Sequence, residues 1–243
     1  MTDDSPQRVR FIYRFGRIFA KGVLRLICRM KIIHADRVPA TGPVLIVANH
    51  VSYLDPPLVG CDITQREVTY LARAGLFKVP VFGRIIRAVN SVPIREGQGD
   101  VRAIRDILER IKRGEAVLIF PEGSRSYDGA MTPFRSGASL IIRRAKCPVI
   151  PVGIEGAFDA WPRTRAFPRL GKRVMVLFGD PIPPEELIGA EGTKKLQREV
   201  DRLRLACRAE LRRSSGGRYP APGPADEPFS DSSSVSSPAP SSD

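Results

Sequence analysis

The hydrophobic positions of the chain include short unbroken runs that are typical of strands. Three of these runs have the length of buried strands. They are PVLIVA at 43–48, AVLIF at 116–120 and VIPVGI at 149–154. Further strands are predicted at 68–72, 91–94 and 174–178.

Helix-type patterns occupy the stretches between the strands. Residues 100–113 place isoleucines and a leucine on one helical face, and Gly114 ends that pattern. Other helices are predicted at 80–89, 138–145 and from about 184 or 193 to 213. Because strands alternate with helices, we predict an α/β fold with a largely parallel or mixed central sheet flanked by helices. Chemistry is expected where the strands end.

Residues 8–33 carry a basic amphipathic pattern. On a helical wheel the basic residues fall within about 120° and the apolar residues lie opposite. The basic residues are Arg10, Arg14, Arg17, Lys21, Arg25 and Arg29, and the apolar ones are Phe11, Ile12, Phe15, Phe19, Val23, Leu26, Ile27 and Met30. Such a helix lies in the headgroup region of an anionic membrane or, alternatively, covers the protein's own core with a solvated basic back. We favour the first and predict that residues 1–33 are a membrane-association segment.

The C-terminal stretch 214–243 has a different composition. It is dominated by Ser, Pro and Gly, and its single basic residue, Arg218, stands against four acidic ones. Such a stretch buries too little apolar surface to order itself, so a disordered tail is predicted. The remaining residues, 34–213, are predicted to form one domain that would carry the catalytic site.

Charge limits the class of partner. The chain has 39 Lys and Arg against 26 Asp and Glu, a formal net charge of +13. An anionic partner is therefore expected: nucleic acid, an anionic membrane surface or a phosphorylated substrate. We disfavour nucleic acid because the N-terminal basic residues are interleaved with an apolar face and no nucleic-acid motif is recognisable.

Cysteine and histidine usage excludes other classes. Four cysteines lie far apart, and with only two histidines there is no zinc-ligand spacing, so neither a disulfide framework nor a structural metal is expected. No window reaches the roughly 18 apolar residues of a membrane-spanning helix. The N-terminus also lacks a signal-peptide pattern, which disfavours secretion.

His50 is the informative histidine. It follows the strand 43–48, and Asp55 comes five residues later. A carboxylate at that place can accept from one ring nitrogen and leave the other as a base, although a lone histidine at a strand end also occurs as a purely structural residue. No G-x-S-x-G elbow or phosphate-binding Walker loop accompanies the pair. A base without a protein nucleophile points to activation of a substrate hydroxyl or of water.

A second candidate group, FPEGSRS at 120–126, directly follows another buried strand. Gly123 lets the backbone approach a ligand, Ser124 offers a hydroxyl, and Arg125 offers a planar fork that suits a phosphate. The short strand at 91–94 delivers one more arginine, Arg95.

In combination these motifs resemble a known family. The order N-H-x-x-x-x-D, a strand ending in Arg, F-P-E-G-S-R-S and V-I-P-V is similar to the glycerolipid acyltransferases, most closely the 1-acyl-glycerol-3-phosphate acyltransferases. The resemblance runs from about residue 33 to 187. This chain has Asn90 where the second block usually opens with Gly, and Arg73 where Lys is frequent.

The resemblance implies a reaction. His50 would be the general base that removes a proton from the free glycerol hydroxyl, which then attacks the thioester carbonyl of acyl-CoA or acyl-carrier-protein without an acyl-enzyme, and Asp55 would orient it. The phosphate would be held by arginines and the acceptor site shaped by the Glu-Gly-Ser turn. The implied substrate-binding residues are Arg73, Arg95, Glu122, Gly123, Ser124 and Arg125. No metal or tightly bound cofactor is implied.

Alternatives remain open at this stage. The acceptor could be another lysolipid, such as a lyso-ornithine lipid or a lysophospholipid in remodelling, or the protein could be a non-enzymatic peripheral lipid-binding protein. In each case we expect a peripheral protein at the cytoplasmic face of an anionic membrane, which holds the lysolipid.

Overall fold

The computed structural model describes residues 10–80, 82–94 and 101–230. The strands are β1 (Cys28–Ile33), β2 (Val44–Ala48), β3 (Val68–Arg73), β4 (Ser91–Ile94), β5 (Ala116–Ile119), β6 (Val149–Glu155) and β7 (Lys172–Phe178). The helices are α1 (Phe11–Ile27), α2 (Asp55–Gly60), α3 (Phe82–Ala88), α4 (Val101–Lys112), α5 (Ser136–Arg144), α6 (Ala157–Ala160) and α7 (Gly189–Ser214). Short 3-10 turns cover Ala35–Arg37, Ala74–Lys78, Pro184–Leu187 and Pro224–Asp226.

The seven strands form one sheet in the order β1-β7-β6-β2-β5-β3-β4. Neighbours run parallel except β6 and β7, which are antiparallel. The ends of β2, β3, β5 and β6 therefore share one edge, which we call the carboxyl edge. Because of the reversal, β7 and its parallel neighbour β1 begin at that same edge. The predicted α/β fold with a mixed sheet is confirmed.

Helices cover both faces of the sheet. Helices α1, α2 and α6 pack on one face, over alternate residues of β2 such as Ile46. Helices α4, α5 and α7 pack on the other, over Leu45 and Val47. Because both faces are covered, every residue of β2 is buried, as its unbroken apolar run predicted.

The helix predicted across residues 8–33 ends earlier than expected. It stops at Ile27, and residues 28–33 form the edge strand β1, which pairs with β7. Cys28, Met30 and Ile32 pack on the core, which is the spacing of one strand face. Over six residues the helical wheel did not separate this alternation from the helical stripe that precedes it.

Helix α1 turns its apolar face outward. Tyr13 and Leu24 are buried beneath it, but the large side chains on its outer side are exposed. These are Phe11, Ile12, Phe15, Ile18, Phe19, Val23 and Leu26. We call this set the α1 apolar face. The alternative that the helix covers the protein's own core with these residues is therefore wrong.

Half of the predicted basic stripe faces the protein instead. Arg10 forms an ion pair with Glu67 (Nη2 to Oε2, 2.8 Å), Arg17 donates to the Cys61 carbonyl oxygen at 2.9 Å, and Lys21 pairs with Asp62. Arg14 and Arg25 are exposed beside the apolar face. Within the described ranges, no helix is both long and apolar enough to cross a bilayer.

The tail boundary predicted at residue 214 is too early. Residues 215–230 fold back on α7, where Arg204 donates to the Ala225 carbonyl oxygen (2.5 Å) and Arg208 Nε donates to Asp226 (2.6 Å). The backbone N–H of Phe229 donates to Asp201 (2.8 Å). Composition missed this because the order comes from charged partners on α7 rather than from apolar residues. Residues 231–243 of the predicted tail lie outside the described residues.

Candidate active site

The site lies at the carboxyl edge, where β2 and β5 end side by side. His50 follows β2, and Asp55 is the first residue of α2. The two side chains meet, with 2.8 Å between His50 Nδ1 and Asp55 Oδ2. The same oxygen accepts the backbone N–H groups of Val51 and Ser52, each at 2.7 Å. The loop is thus folded around one fully buried carboxylate.

This arrangement sets the tautomer of His50. Asp55 Oδ2 only accepts, so Nδ1 carries the proton and Nε2 keeps its lone pair. The ring stacks on Phe120, with 4.2 Å between the ring centroids and 19° between the planes. The side chain is 18% exposed, whereas that of Asp55 is 0% exposed. The His50 ring is therefore fixed in place while part of its side chain remains exposed to solvent.

The Glu122 side chain is buried rather than lining an open site. Oε1 accepts the backbone N–H of His50 (2.7 Å), and Oε2 accepts the backbone N–H (2.9 Å) and the hydroxyl (2.7 Å) of Thr132. Burial raises the pKa of Glu122 to about 7, and these hydrogen bonds act in the opposite direction. Glu122 thus links the loop after β2 to the loop after β5.

The His50 backbone is held on both sides. Its N–H donates to Glu122, and its carbonyl oxygen accepts the N–H of Ser126 at 2.9 Å. Gly123 makes the turn between them with φ +71°, and a Cβ there would lie 2.6 Å from Cδ of Arg135. Arg135 is itself fixed, because its Nε donates to the Glu122 carbonyl oxygen at 3.0 Å. The turn therefore requires glycine. Ser124 follows in the same turn and is half-buried.

The guanidinium group of Arg125 stacks on an aromatic ring. Its Cζ lies 3.5 Å from the centroid of the Tyr53 ring, and Tyr53 in turn contacts Trp161 at 5.2 Å between centroids. Arg163 donates to the Arg125 carbonyl oxygen at 2.9 Å and stacks on Tyr127. Arg125 Nη1 is buried and has no hydrogen-bond partner among the described residues. The Arg125 guanidinium is thus fixed by ring stacking, and its Nη1 keeps a donor that no described residue uses.

The other two predicted arginines are placed differently. Arg73 ends β3 at the carboxyl edge, two strands from β2, and is exposed. Arg95 lies outside the described residues. Asn90, at the position where the resembling family usually has Gly, adopts φ +62°, a conformation that Asn tolerates better than most residues.

Sequence reasoning missed two residues that help to build this site, Thr132 and Arg163, which are separated along the chain from their partners in the second motif. Phe120 and Ser126 belong to that motif, but their contacts with the His50 ring and carbonyl oxygen depend on the fold. Asn49 had a signal, since it stands beside His50 in the first motif. Its side-chain amide bonds both the N–H and the carbonyl of Ile154 on β6. Across the described ranges, no three His, Cys, Asp or Glu side chains are grouped so that they could hold a metal ion.

The comparison with family models gives the class. The model described as "Acyltransferase" matches residues 29–155, just over half of the chain, and this range contains the His50–Asp55 pair and the Glu122–Arg125 turn. The chain therefore belongs to the acyltransferase family.

Individual relatives within this family are named for particular acceptor lipids. The 1-acyl-sn-glycerol-3-phosphate acyltransferase of Bacillus subtilis is 23% identical, over 79% of this chain and 100% of that protein. The chloroplastic 1-acyl-sn-glycerol-3-phosphate acyltransferase BAT2 of Brassica napus is 30% identical over 49% of this chain, but only 35% of that protein is matched. The lyso-ornithine lipid O-acyltransferase of Pseudomonas aeruginosa is 31% identical, over 65% of this chain and 66% of that protein.

A solved structure shares the fold. The crystal structure of the 1-acyl-sn-glycerophosphate acyltransferase PlsC from Thermotoga maritima is similar with a TM-score of 0.66 and 28% identity. The match covers 78% of this chain and 77% of that chain. It includes most of the α/β domain described above.

Proposed function

We propose that this acyltransferase moves a fatty acyl group from acyl-CoA or acyl-carrier-protein to the free hydroxyl of 1-acyl-glycerol-3-phosphate, giving phosphatidic acid. The carrying observation is the His50–Asp55 pair, together with Arg125 in the turn whose next residue, Ser126, donates its backbone N–H to the His50 carbonyl oxygen. Relatives named for this reaction in Bacillus subtilis and Brassica napus support the same acceptor.

His50 Nε2 is the general base of the proposed reaction. It takes the proton of the acceptor hydroxyl as the oxygen forms its bond to the thioester carbonyl carbon. The carbon–sulfur bond then breaks, and the imidazolium returns the proton to the leaving thiolate. Asp55 stabilises the positive charge on the ring between these steps. The acyl group passes directly to the acceptor, so no acyl-enzyme is needed.

Arg125 is the proposed phosphate ligand of the site, with Arg73, at the carboxyl edge, and Arg95 as further proposed phosphate ligands. Gly123 and Ser124 shape the turn that presents Arg125. Glu122 acts through His50, since its carboxylate contacts the His50 backbone and not the open site. We therefore propose it as a positioning residue.

Acyl transfer from radiolabelled acyl-CoA to a panel of lysolipids in mixed micelles tests the proposal. We expect transfer to 1-acyl-glycerol-3-phosphate by the wild type and a loss of about 10² to 10⁴ in rate for His50→Ala. Unchanged activity of the variant would exclude His50 as the base. Vesicle binding without transfer from either donor would instead support a non-enzymatic lipid-binding protein.

A lyso-ornithine lipid is the second candidate acceptor, because the Pseudomonas aeruginosa relative is named for that reaction. This acceptor carries an ornithine carboxylate in place of the more highly charged phosphate monoester, so Arg125 should contribute less to binding it. Arg125→Ala should raise the KM for 1-acyl-glycerol-3-phosphate more than the KM for lyso-ornithine lipid. Measuring both KM values with the wild type and the variant separates the two acceptors.

We also propose that the protein binds an anionic bilayer peripherally, at the cytoplasmic face, through the α1 apolar face. These exposed aromatic and aliphatic side chains lie beside the exposed Arg14 and Arg25, which is the composition of an interfacial helix. A lysolipid acceptor resides in a membrane whereas the thioester donor is water-soluble, so the reaction needs an enzyme at that interface.

A further inference from the structure

We propose that the loop of residues 161–171, between α6 and β7, is a second bilayer contact that brings the mouth of the site to the surface of an anionic membrane. The inference rests on the proposed membrane association of α1 and adds a separate element to it. We call this segment the 161–171 loop.

The loop connects the site to the end of α1. At its start, the Trp161 carbonyl oxygen accepts from the Ser52 hydroxyl at 2.7 Å, and Arg163 reaches the Arg125 carbonyl oxygen. At its end, the Gly171 N–H donates to the Ile27 carbonyl oxygen at 2.8 Å. Since β1 and β7 both begin at the carboxyl edge, the whole segment lies along the edge that carries His50.

The loop exposes large apolar side chains close to those of α1. Phe167 is 79% exposed and Leu170 is 71% exposed. Leu170 precedes Gly171, and the exposed Leu26 precedes its bonding partner Ile27, so the two apolar surfaces adjoin. Trp161 packs against the core cluster on the α1 and α2 side of the sheet, so the loop leaves the domain on that side.

The charge of the 161–171 loop favours an anionic lipid surface as its binding partner. Between Asp159 and Asp180 the sequence contains no acidic residue and five basic ones. They are Arg163, Arg165, Arg169, Lys172 and Arg173. Arg165 and Arg169 are exposed on either side of Phe167. Bases that flank exposed aromatic and aliphatic side chains suit the headgroup region, where the apolar groups enter the acyl boundary and the bases stay with the phosphates.

Sedimentation with vesicles tests the loop without any acyl transfer. The vesicles contain phosphatidylcholine with about 30% phosphatidylglycerol. Phe167→Ser combined with Leu170→Ser should weaken partitioning at least about tenfold, because two apolar side chains no longer enter the bilayer. Arg165→Gln combined with Arg169→Gln should weaken it by up to about fivefold for each charge.

Matched controls come from the opposite face of the sheet. Ile188 is 73% exposed just before α7, and Arg198 is exposed on α7. Ile188→Ser and Arg198→Gln should partition like the wild type. Equal losses in these controls and in the loop variants would overturn the proposal, because the effect would then follow surface polarity in general.

Trp161 offers a reporter at the base of the loop, since the chain has a single tryptophan. Its emission should shift to the blue on anionic vesicles and be quenched by lipids brominated along the acyl chain. Vesicle binding without any change in Trp161 emission would count against a bilayer contact there.

Comparison with an α1 variant separates this proposal from the one it rests on. If Phe15→Ser with Phe19→Ser abolishes partitioning while the loop variants bind normally, the loop proposal fails and the α1 proposal stands. If neither pair changes partitioning, both fail. Concentration-dependent self-association that the loop variants abolish, with vesicle binding intact, would replace the bilayer by a second copy of the chain.

Discussion

At the residue scale, the site depends on one carboxylate oxygen that accepts three donors. Asp55 Oδ2 receives His50 Nδ1–H and two backbone N–H groups, while its Oδ1 is buried and has no hydrogen-bond partner among the described residues. An asparagine can therefore keep its oxygen toward the three donors and turn its amide nitrogen to the empty side. The His50 tautomer would survive and only the negative charge would be lost.

We therefore predict that Asp55→Asn lowers kcat by about 10²-fold or more and leaves both KM values near those of the wild type. The cause is the loss of the charge that stabilises the imidazolium. Steady-state kinetics on the purified variant, with circular dichroism to check folding, measure this. A variant with the wild-type kcat would show that Asp55 needs only to orient the His50 ring and that its negative charge is not required.

Glu122 predicts a pH dependence of stability. Its pKa is raised to about 7 in the folded protein from 4.5, so between these values the folded state binds more protons than the unfolded state. Its contribution to stability is present below about pH 4.5 and is lost as the pH rises through about 7, with a total of roughly 3 kcal/mol.

Urea unfolding of the wild type and of Glu122→Gln from pH 4.5 to 8 measures this contribution. The variant is less stable, because its amide nitrogen faces either the His50 or the Thr132 N–H, but it does not titrate. We expect the stability advantage of the wild type to shrink as the pH rises. Two curves that stay parallel would contradict the assignment.

The stack of Arg125 on Tyr53 predicts an effect on acceptor binding. Tyr53→Ala removes the ring that holds the guanidinium and should raise the KM for 1-acyl-glycerol-3-phosphate by about 3- to 30-fold, with kcat little changed. Tyr53→Phe keeps the ring face and should behave like the wild type. If Phe loses as much as Ala, the hydroxyl and not the ring face is responsible.

At the element scale, α7 carries a set of buried charges that orders the segment after it. Arg208 contacts both Glu155 on β6 (2.9 Å) and Asp226, and Arg204 contacts Asp201 (2.6 Å). The short turn at 224–226 also lies beside the loop that follows the 120–126 motif, since a Cβ on Gly129 would come 3.7 Å from that of Ala225. The segment 215–230 thus braces the site from behind.

Two truncations test this bracing. Removal of residues 215–243 strips Arg208 of one carboxylate partner and of the Ala221 carbonyl, and we expect a loss of about 3 to 5 kcal/mol in unfolding free energy. Removal of 231–243 alone keeps every contact described and should leave the unfolding free energy unchanged. Urea denaturation compares the two, and equal stabilities would refute the role of 215–230.

At the scale of the whole molecule, the net charge and the α1 apolar face are both expected to contribute to the proposed membrane binding. The chain carries +13, and the exposed α1 apolar face is the part of the proposed membrane contact that does not depend on charge. We predict that partitioning onto anionic vesicles falls steeply as NaCl rises from about 50 to about 500 mM, because the charge contribution is screened. Vesicle sedimentation across this range measures it. Partitioning that changes neither with the salt concentration nor with the charge of the lipid would show that the net charge does not contribute to membrane binding.

The sequence by itself determined the strand-sized runs, the α/β class and the pairing of His50 with Asp55. These are local properties: a doubly covered strand must be apolar throughout, and His50 and Asp55 are close because they belong to one short loop. The Gly123 turn was also visible, since few residues other than glycine suit its backbone conformation.

Tertiary structure alone decided which surfaces meet. It turned the α1 apolar face outward because α2 and the Asp62 and Glu67 side chains hold the opposite side of that helix. It made 28–33 a strand because β7 offers a free edge, and it ordered 215–230 because α7 offers arginines. It also placed Thr132 and Arg163 at the site. Each of these depends on partners distant along the chain, and a local pattern of hydrophobicity or charge contains no information about them.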